Sequence, residues 1–202
     1  MAAVHASAWL LVSRWEQPGK GAQHRVKLRA PRFIRLGFDV SLYASFLYPV
    51  LVLIGPRWIS EGRGTWSSSI DGVLLAGGLV LWMLGVAILL WASWVMGRYL
   101  AIDGLAEDHQ LLTHGPYRYL RHPVYVSFAA IAIGTALVFR SYVVLGLSVM
   151  LMITGRWWAD AEERLLASPE GFGHVYRAYA TRTGRFFPNL RLPKGTEGRG
   201  RS

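Results

Sequence analysis

Long apolar runs alternate along this chain with short polar, basic or glycine-rich stretches, and the alternation predicts helices. Leu36 to Gly55 is the first run, long enough as a helix to cross the ~30 Å of bilayer hydrocarbon. Asp39 near its start is expected at the interface, one turn from Arg35, and Pro49 predicts a kink. Gly72 to Val95 is the cleanest run, with Gly78 and Gly85 on one side for a close helix contact. Val124 to Phe139 and Tyr142 to Trp158 are separated only by Arg140 and Ser141, which predicts a tight helical hairpin. Both are short for a full span at ~1.5 Å per residue, so the hairpin either thins the bilayer or sits deep without crossing it. Ala130 and Gly134 offer it a small-residue packing face. Past Trp158, Asp160-Ala161-Glu162-Glu163-Arg164-Leu165-Leu166 keeps good helix formers until Pro169 and Gly171, so the last helix carries an acidic tip out of the membrane.

The expected fold is therefore all-α: a polytopic integral membrane protein of about four transmembrane helices, with a C-terminal hairpin and a pocket on the cytosolic side. The expected divisions are a basic arm at 1–35, two helices within 36–95, a core at 96–192 and a disordered tail at 193–202.

Composition agrees with a membrane setting. Hydrophobic residues make up 52% and charged residues only 17%, below the roughly 25% of soluble domains. The net charge of +10 gathers at the two ends, which suits membrane orientation and lipid headgroups rather than nucleic acid. The arm from Arg14 to Arg35 holds seven Lys and Arg, the tail after Tyr179 six, and the loop from Pro56 to Asp71 two. That imbalance predicts both termini on the cytosolic side, at the inner membrane if the source is bacterial. The absence of cysteine excludes disulfides, thiolate metal sites and a cysteine nucleophile. No H-E-x-x-H, P-loop or nucleophile-elbow pattern occurs, so no metal is expected.

The candidate chemistry lies at Gly115-Pro116-Tyr117-Arg118-Tyr119-Leu120-Arg121-His122-Pro123-Val124-Tyr125. Two prolines restrict the residues before them, which predicts an ordered corner opening into a helix with Pro123 in its first turn. Its tyrosines and arginines also suit a plain interfacial anchor. The topology brings three polar clusters to one face: Glu107 to His109, Arg118 to Tyr125, and Asp160 to Glu163, with Tyr176, Tyr179 and Arg185 close behind. Glu162 and Glu163 point about 100° apart on a helix, so one can face a pocket while the other meets solvent or a cation. Taken alone, His122 suits either a structural or a ligand-binding role, and an acidic pair at a helix end is also a common solvated terminus.

Several segments recur in one order. Glu107-Asp108-His109-Gln110-Leu111-Leu112 comes first, then Gly115-Pro116-Tyr117 with Arg121-His122-Pro123-Val124-Tyr125. Glu162-Glu163, Phe172-Gly173-x-x-Tyr176-x-x-Tyr179 and Arg185-Phe186-Phe187-Pro188 follow. This order resembles the isoprenylcysteine carboxyl methyltransferase family and its phospholipid methyltransferase relatives, over roughly Trp91 to Leu190. The resemblance implies a membrane methyltransferase dependent on S-adenosylmethionine. It implies cofactor contacts from His109, Gln110, Leu111, Leu112, Tyr117, His122, Pro123, Val124, Tyr125, Glu162 and Tyr176. Arg121, His122 and Glu163 are the candidate catalytic groups, and Arg118, Arg156 and Trp158 the candidate substrate contacts. Four residues before Glu162, where the eukaryotic isoprenylcysteine enzymes are expected to carry arginine, stands Trp158, with Arg156 upstream. An aromatic there suits a more apolar acceptor. The implied acceptor is lipid-like or isoprenoid, an isoprenylcysteine carboxylate being one option, with membrane lipids as the other partners. Two alternatives stand beside this reading: a sterol-reductase-like enzyme using NADPH, and a non-catalytic membrane scaffold.

Overall fold

The computed structural model describes residues 24–27, 31–54, 68–97, 104–106 and 110–189. The expectations for His109, for the loop from Pro56 to Ser67, for most of the N-terminal arm and for the tail at 193–202 lie outside these residues.

Among the described residues five α-helices form the body: α1 (Arg32–Ile54), α2 (Ser68–Met96), α3 (Pro123–Phe139), α4 (Tyr142–Ala167) and α5 (His174–Arg182). The all-α expectation needs one addition. Strand β1 (His24–Lys27) pairs antiparallel with β2 (Gly104–Ala106), and such short strands leave no alternating pattern long enough to read. Two described helices are long and apolar enough to cross a membrane, Ile70–Met96 and Tyr142–Ala167, while Pro123–Phe139 is apolar but shorter. On length and composition alone, then, two helices qualify where about four were expected.

Small residues set the helix contacts. A Cβ on Gly78 would stand 3.0 Å from the Gly134 carbonyl oxygen, and one on Gly134 would stand 2.8 Å from that of Gly78. Gly85 meets the Ile131 amide nitrogen and the Ser127 carbonyl oxygen in the same way, each at 3.0 Å. These glycines let α2 and α3 approach backbone to backbone, which is how helices associate where water gives no driving force. A second stripe, spaced by four, runs along α1: Gly37, Ser41, Ser45 and Pro49. Both serines and Pro49 are fully buried, and a Cβ on Gly37 would lie 2.7 Å from Met150 Cε of α4. Between the helices lies a cluster of Phe38, Trp82, Leu89, Phe128, Ile131, Ala132, Leu151 and Trp158.

The hairpin turns on two residues. Arg140 takes a left-handed conformation (φ 52°) after α3, and the Ser141 side chain caps α4 by accepting from the Val144 amide. Arg140 also pairs with Asp71 at the start of α2, at 2.7 Å. At about 1.5 Å per residue, α4 runs roughly 39 Å, and its last turns carry Asp160, Glu162 and Glu163 to the end opposite the hairpin tip.

Candidate functional site

The corner is built by local backbone chemistry. Gly115 has φ 59°, and a Cβ there would lie 2.6 Å from Val95 Cγ2 of α2, so the chain turns against α2 only with glycine. Pro116 opens a short 3-10 turn, Gly115–Arg118, and accepts from the amides of Tyr119 and Leu120. The next two amides leave the turn for a distant segment: Arg121 donates to the Gly184 carbonyl at 2.8 Å and His122 to the Arg185 carbonyl at 3.2 Å. Pro123, with no amide to satisfy, then starts α3.

The acidic tip of α4 meets this corner. Glu163 Oε1 accepts from Arg121 Nε at 2.9 Å and pairs with His122 Nε2 at 3.0 Å. Arg185 Nε lies 3.3 Å from the same oxygen, as an ion-pair contact without hydrogen-bond geometry. Glu162 turns the other way. Its Oε2 is 3.5 Å from the Tyr125 hydroxyl and 3.6 Å from His122 Nδ1. Each ring nitrogen of the buried His122 thus faces a different carboxylate. Arg121 Nη1 also donates to the carbonyls of Ala180 and Thr183, at 2.9 and 2.6 Å, closing the end of α5.

Glu162 and the corner line one open cavity together with Phe38, Met96 and Phe128. Its lining combines polar side chains (Tyr117, Arg121, His122, Tyr125, Glu162) with apolar ones (Phe38, Met96, Val124, Phe128). The Tyr117 hydroxyl is buried there with no hydrogen-bond partner, a cost that a polar ligand would relieve. Burial, then the charge of Glu162, then Tyr179, push the Tyr117 phenol far above its usual range, so it stays a donor. Tyr176 is raised as well, by burial first and then by Glu163. Tyr179 is pushed up to about 12 by burial, against the opposing pull of Arg121, and its hydroxyl donates to the Tyr117 carbonyl at 2.6 Å.

The structure brings Tyr117, Arg121, His122, Pro123, Val124, Tyr125 and Glu162 together on the cavity. Glu163 stands behind them, on Arg121 and His122. Tyr176 is buried near by without lining the cavity, Leu111 and Leu112 are half-buried before the corner, and Gln110 is exposed. Arg118 and Arg156 are exposed and outside the cavity lining. Trp158 is buried in the helix cluster, its ring edge-on to Phe38 at 6.5 Å. Sequence reading missed Phe38, Met96 and Phe128. For Phe128 a signal was present, since it follows Val124 and Tyr125 by one helical turn. Phe38 and Met96 come from other helices and carry no local mark.

Two comparisons bear on this site. The sequence model of the phospholipid methyltransferase family matches residues 73–169, from α2 through the acidic tip of α4. The chain is also 33% identical over 161 residues to the cobalt-zinc-cadmium resistance protein CzcN of Cupriavidus metallidurans. That match takes in 75% of this chain and 62% of the relative's length. The cavity, the hairpin and the Arg-His-Pro corner thus fall inside, or against, a region that matches the phospholipid methyltransferase family model.

Proposed function

We propose that the cavity holds S-adenosylmethionine and that the chain methylates an apolar, lipid-like or isoprenoid acceptor. One observation carries the reading: Glu162, His122, Tyr125 and Tyr117, from two helices and a turn, line a single cavity together with apolar side chains. The residues present fit the cofactor. Glu162 can accept from hydroxyl or ammonium donors, the orphaned Tyr117 hydroxyl can donate, and the faces of Tyr117 and Tyr125 suit a cationic centre. The bound cofactor supplies a methyl group activated on a sulfonium.

The chain's own part is positioning and exclusion of water. Holding two reactants in line can contribute ~7–11 kcal/mol of rate enhancement. The apolar lining of Phe38, Met96, Val124 and Phe128 disfavours water in the site. For an amine or thiol acceptor, His122 is the group placed to take the proton, while Glu163, already engaged with Arg121 and His122, orients them. For a carboxylate acceptor such as an isoprenylcysteine no base is needed, and Arg121 supplies the nearest cavity cation.

We further propose four membrane-embedded helices with both termini on the cytosolic side, placing the cavity at that boundary, in the inner membrane of a bacterial source. Residues 96–192 are the proposed methyltransferase core. The family match starts earlier, within α2, in keeping with Met96 on the cavity wall and with the glycine contacts of α2 on α3. The relative's name concerns metal resistance, but among the described residues no three His, Asp or Glu side chains gather to hold a metal ion. The reading therefore rests on the cavity.

The test is cofactor binding to the full chain in detergent, followed by mass spectrometry of membrane lipid extract incubated with isotopically labelled methyl donor. Saturable binding, weakened about tenfold or more by Glu162→Gln and by His122→Ala (each tenfold being ~1.4 kcal/mol), is expected. A folded wild-type chain that binds no S-adenosylmethionine overturns the proposal.

A further inference from the structure

The segment from Thr183 to Phe186 has no regular structure beyond one bridge, yet it makes a dense set of contacts with the site. Leu120 and Gly184 form an isolated parallel bridge. The carbonyls of Gly184 and Arg185 take the amides of Arg121 and His122, which α3 cannot satisfy because both precede its first residue. A Cβ on Gly184 would overlap the carbonyl of Phe187, so the segment turns away at once after making the bridge. Arg185 reaches across to α4, pairing Nη2 with Asp160 and setting Nε beside Glu163. Its guanidinium carbon lies 5.2 Å from the centre of the Phe186 ring. That ring lies tilted against His122, 5.7 Å between centroids, and Tyr125 does so at 5.5 Å.

We propose that Arg185 and Phe186 are positioning residues: a C-terminal strap that fixes the orientation of the His122 ring and of Glu163, and so sets how tightly the cavity binds S-adenosylmethionine. This rests on the cofactor reading above for its consequence, though not for its geometry. Neither side chain lines the cavity, so both act through His122. The division of labour is physical. Arg185 joins the strap to the acidic tip of α4 by charge, and Phe186 supplies a flat surface that permits one ring orientation. With Phe186 gone, His122 keeps its carboxylates but gains room to rotate about the axis through them.

The experiment uses the full chain in detergent with histidine-specific isotope labelling. The variants are Phe186→Leu, Phe186→Tyr, Arg185→Gln, and the neighbouring control Phe187→Ala, a residue that is 83% exposed. Phe186→Leu and Arg185→Gln are expected to move the His122 ring resonances and to weaken cofactor binding about tenfold, equivalent to ~1.4 kcal/mol. Phe186→Tyr, which keeps the ring, restores both, and Phe187→Ala changes neither. Unmoved His122 resonances in both variants overturn the proposal, whatever happens to binding, because a His122 ring released from the strap cannot keep the same surroundings. Moved resonances with unchanged affinity overturn its link to the cofactor. A wild-type chain that binds no cofactor while the resonances still respond refutes the function proposed above and leaves the strap standing. If Phe186→Leu does not fold, Arg185→Gln decides alone by the same readouts.

Discussion

Replacing Glu163 probes the joint between the corner and the acidic tip. Its Oε1 takes Arg121 Nε at 2.9 Å and His122 Nε2 at 3.0 Å, with Arg185 Nε at 3.3 Å. The side chains are 22% exposed for Glu163, 14% for Arg121 and 3% for His122. Hydrogen bonds to charged groups contribute about 1.5–3 kcal/mol each. Breaking a buried pair by removing one partner costs about 3–5 kcal/mol. Water reaching the exposed fraction of Glu163 and Arg121 discounts this, so Glu163→Ala is expected to cost about 3 kcal/mol. For a chain of this size that is a fall of about 6–12 °C in the unfolding midpoint. Glu163→Gln keeps an acceptor oxygen in place and loses only the charge, so about 1–2 kcal/mol is expected. The assay is thermal unfolding of the detergent-solubilised chain, extended to a cycle with Arg121→Ala. Contact at hydrogen-bond distance predicts a coupling of about 1–3 kcal/mol within that cycle. A Glu163→Ala midpoint within about 1 °C of wild type, or a coupling of zero, would refute the joint as described.

Three further outcomes follow from other parts of the fold. Gly134→Leu forces side-chain volume against the Gly78 carbonyl and the Trp82 backbone; overpacking of about 1–3 kcal/mol or more should show as a lower midpoint and poorer yield of folded protein, whereas Gly146→Leu, with open space around it, should be tolerated. Asp71→Asn should cost no more than about 1 kcal/mol, since the Arg140 pair is a third exposed on each side, and cofactor affinity measured by titration should not change, the pair lying at the far end of the bundle. Tyr179, held as a phenol to about 12, loses its proton first in the unfolded chain, so stability should fall as pH rises from about 10 to 12; a midpoint flat across that window, or an equal slope in Tyr179→Phe, would contradict the burial.

Why some of the site was legible and some was not comes down to whether a residue's neighbours lie on its own element. The two-residue turn at Arg140 and Ser141 forces α3 and α4 antiparallel, and counting outward from it puts His122 and Glu162 at comparable heights. Their meeting could therefore be read from connection length and helical rise alone. Helical phase likewise said that Glu162 and Glu163 diverge, but not which one faces the cavity, because Arg121 and Arg185 decide that from two separate segments. Phe38 shows the opposite case. It stands beside Asp39 near the start of α1, and nothing local distinguishes it from the other apolar residues of that run. On the same helix Gly37 lies close against Met150 and Thr154 of α4, and Ser41 and Ser45 are fully buried, yet serines in an apolar helix read as polar interruptions rather than as a packing stripe. The helices that carry Phe38 and Met96 thus matter to the site through small residues elsewhere along them as well as through the lining side chains. A substitution at Ser41 or Gly37, which touch no part of the cavity, should then alter its apolar lining as surely as one at Phe38 itself.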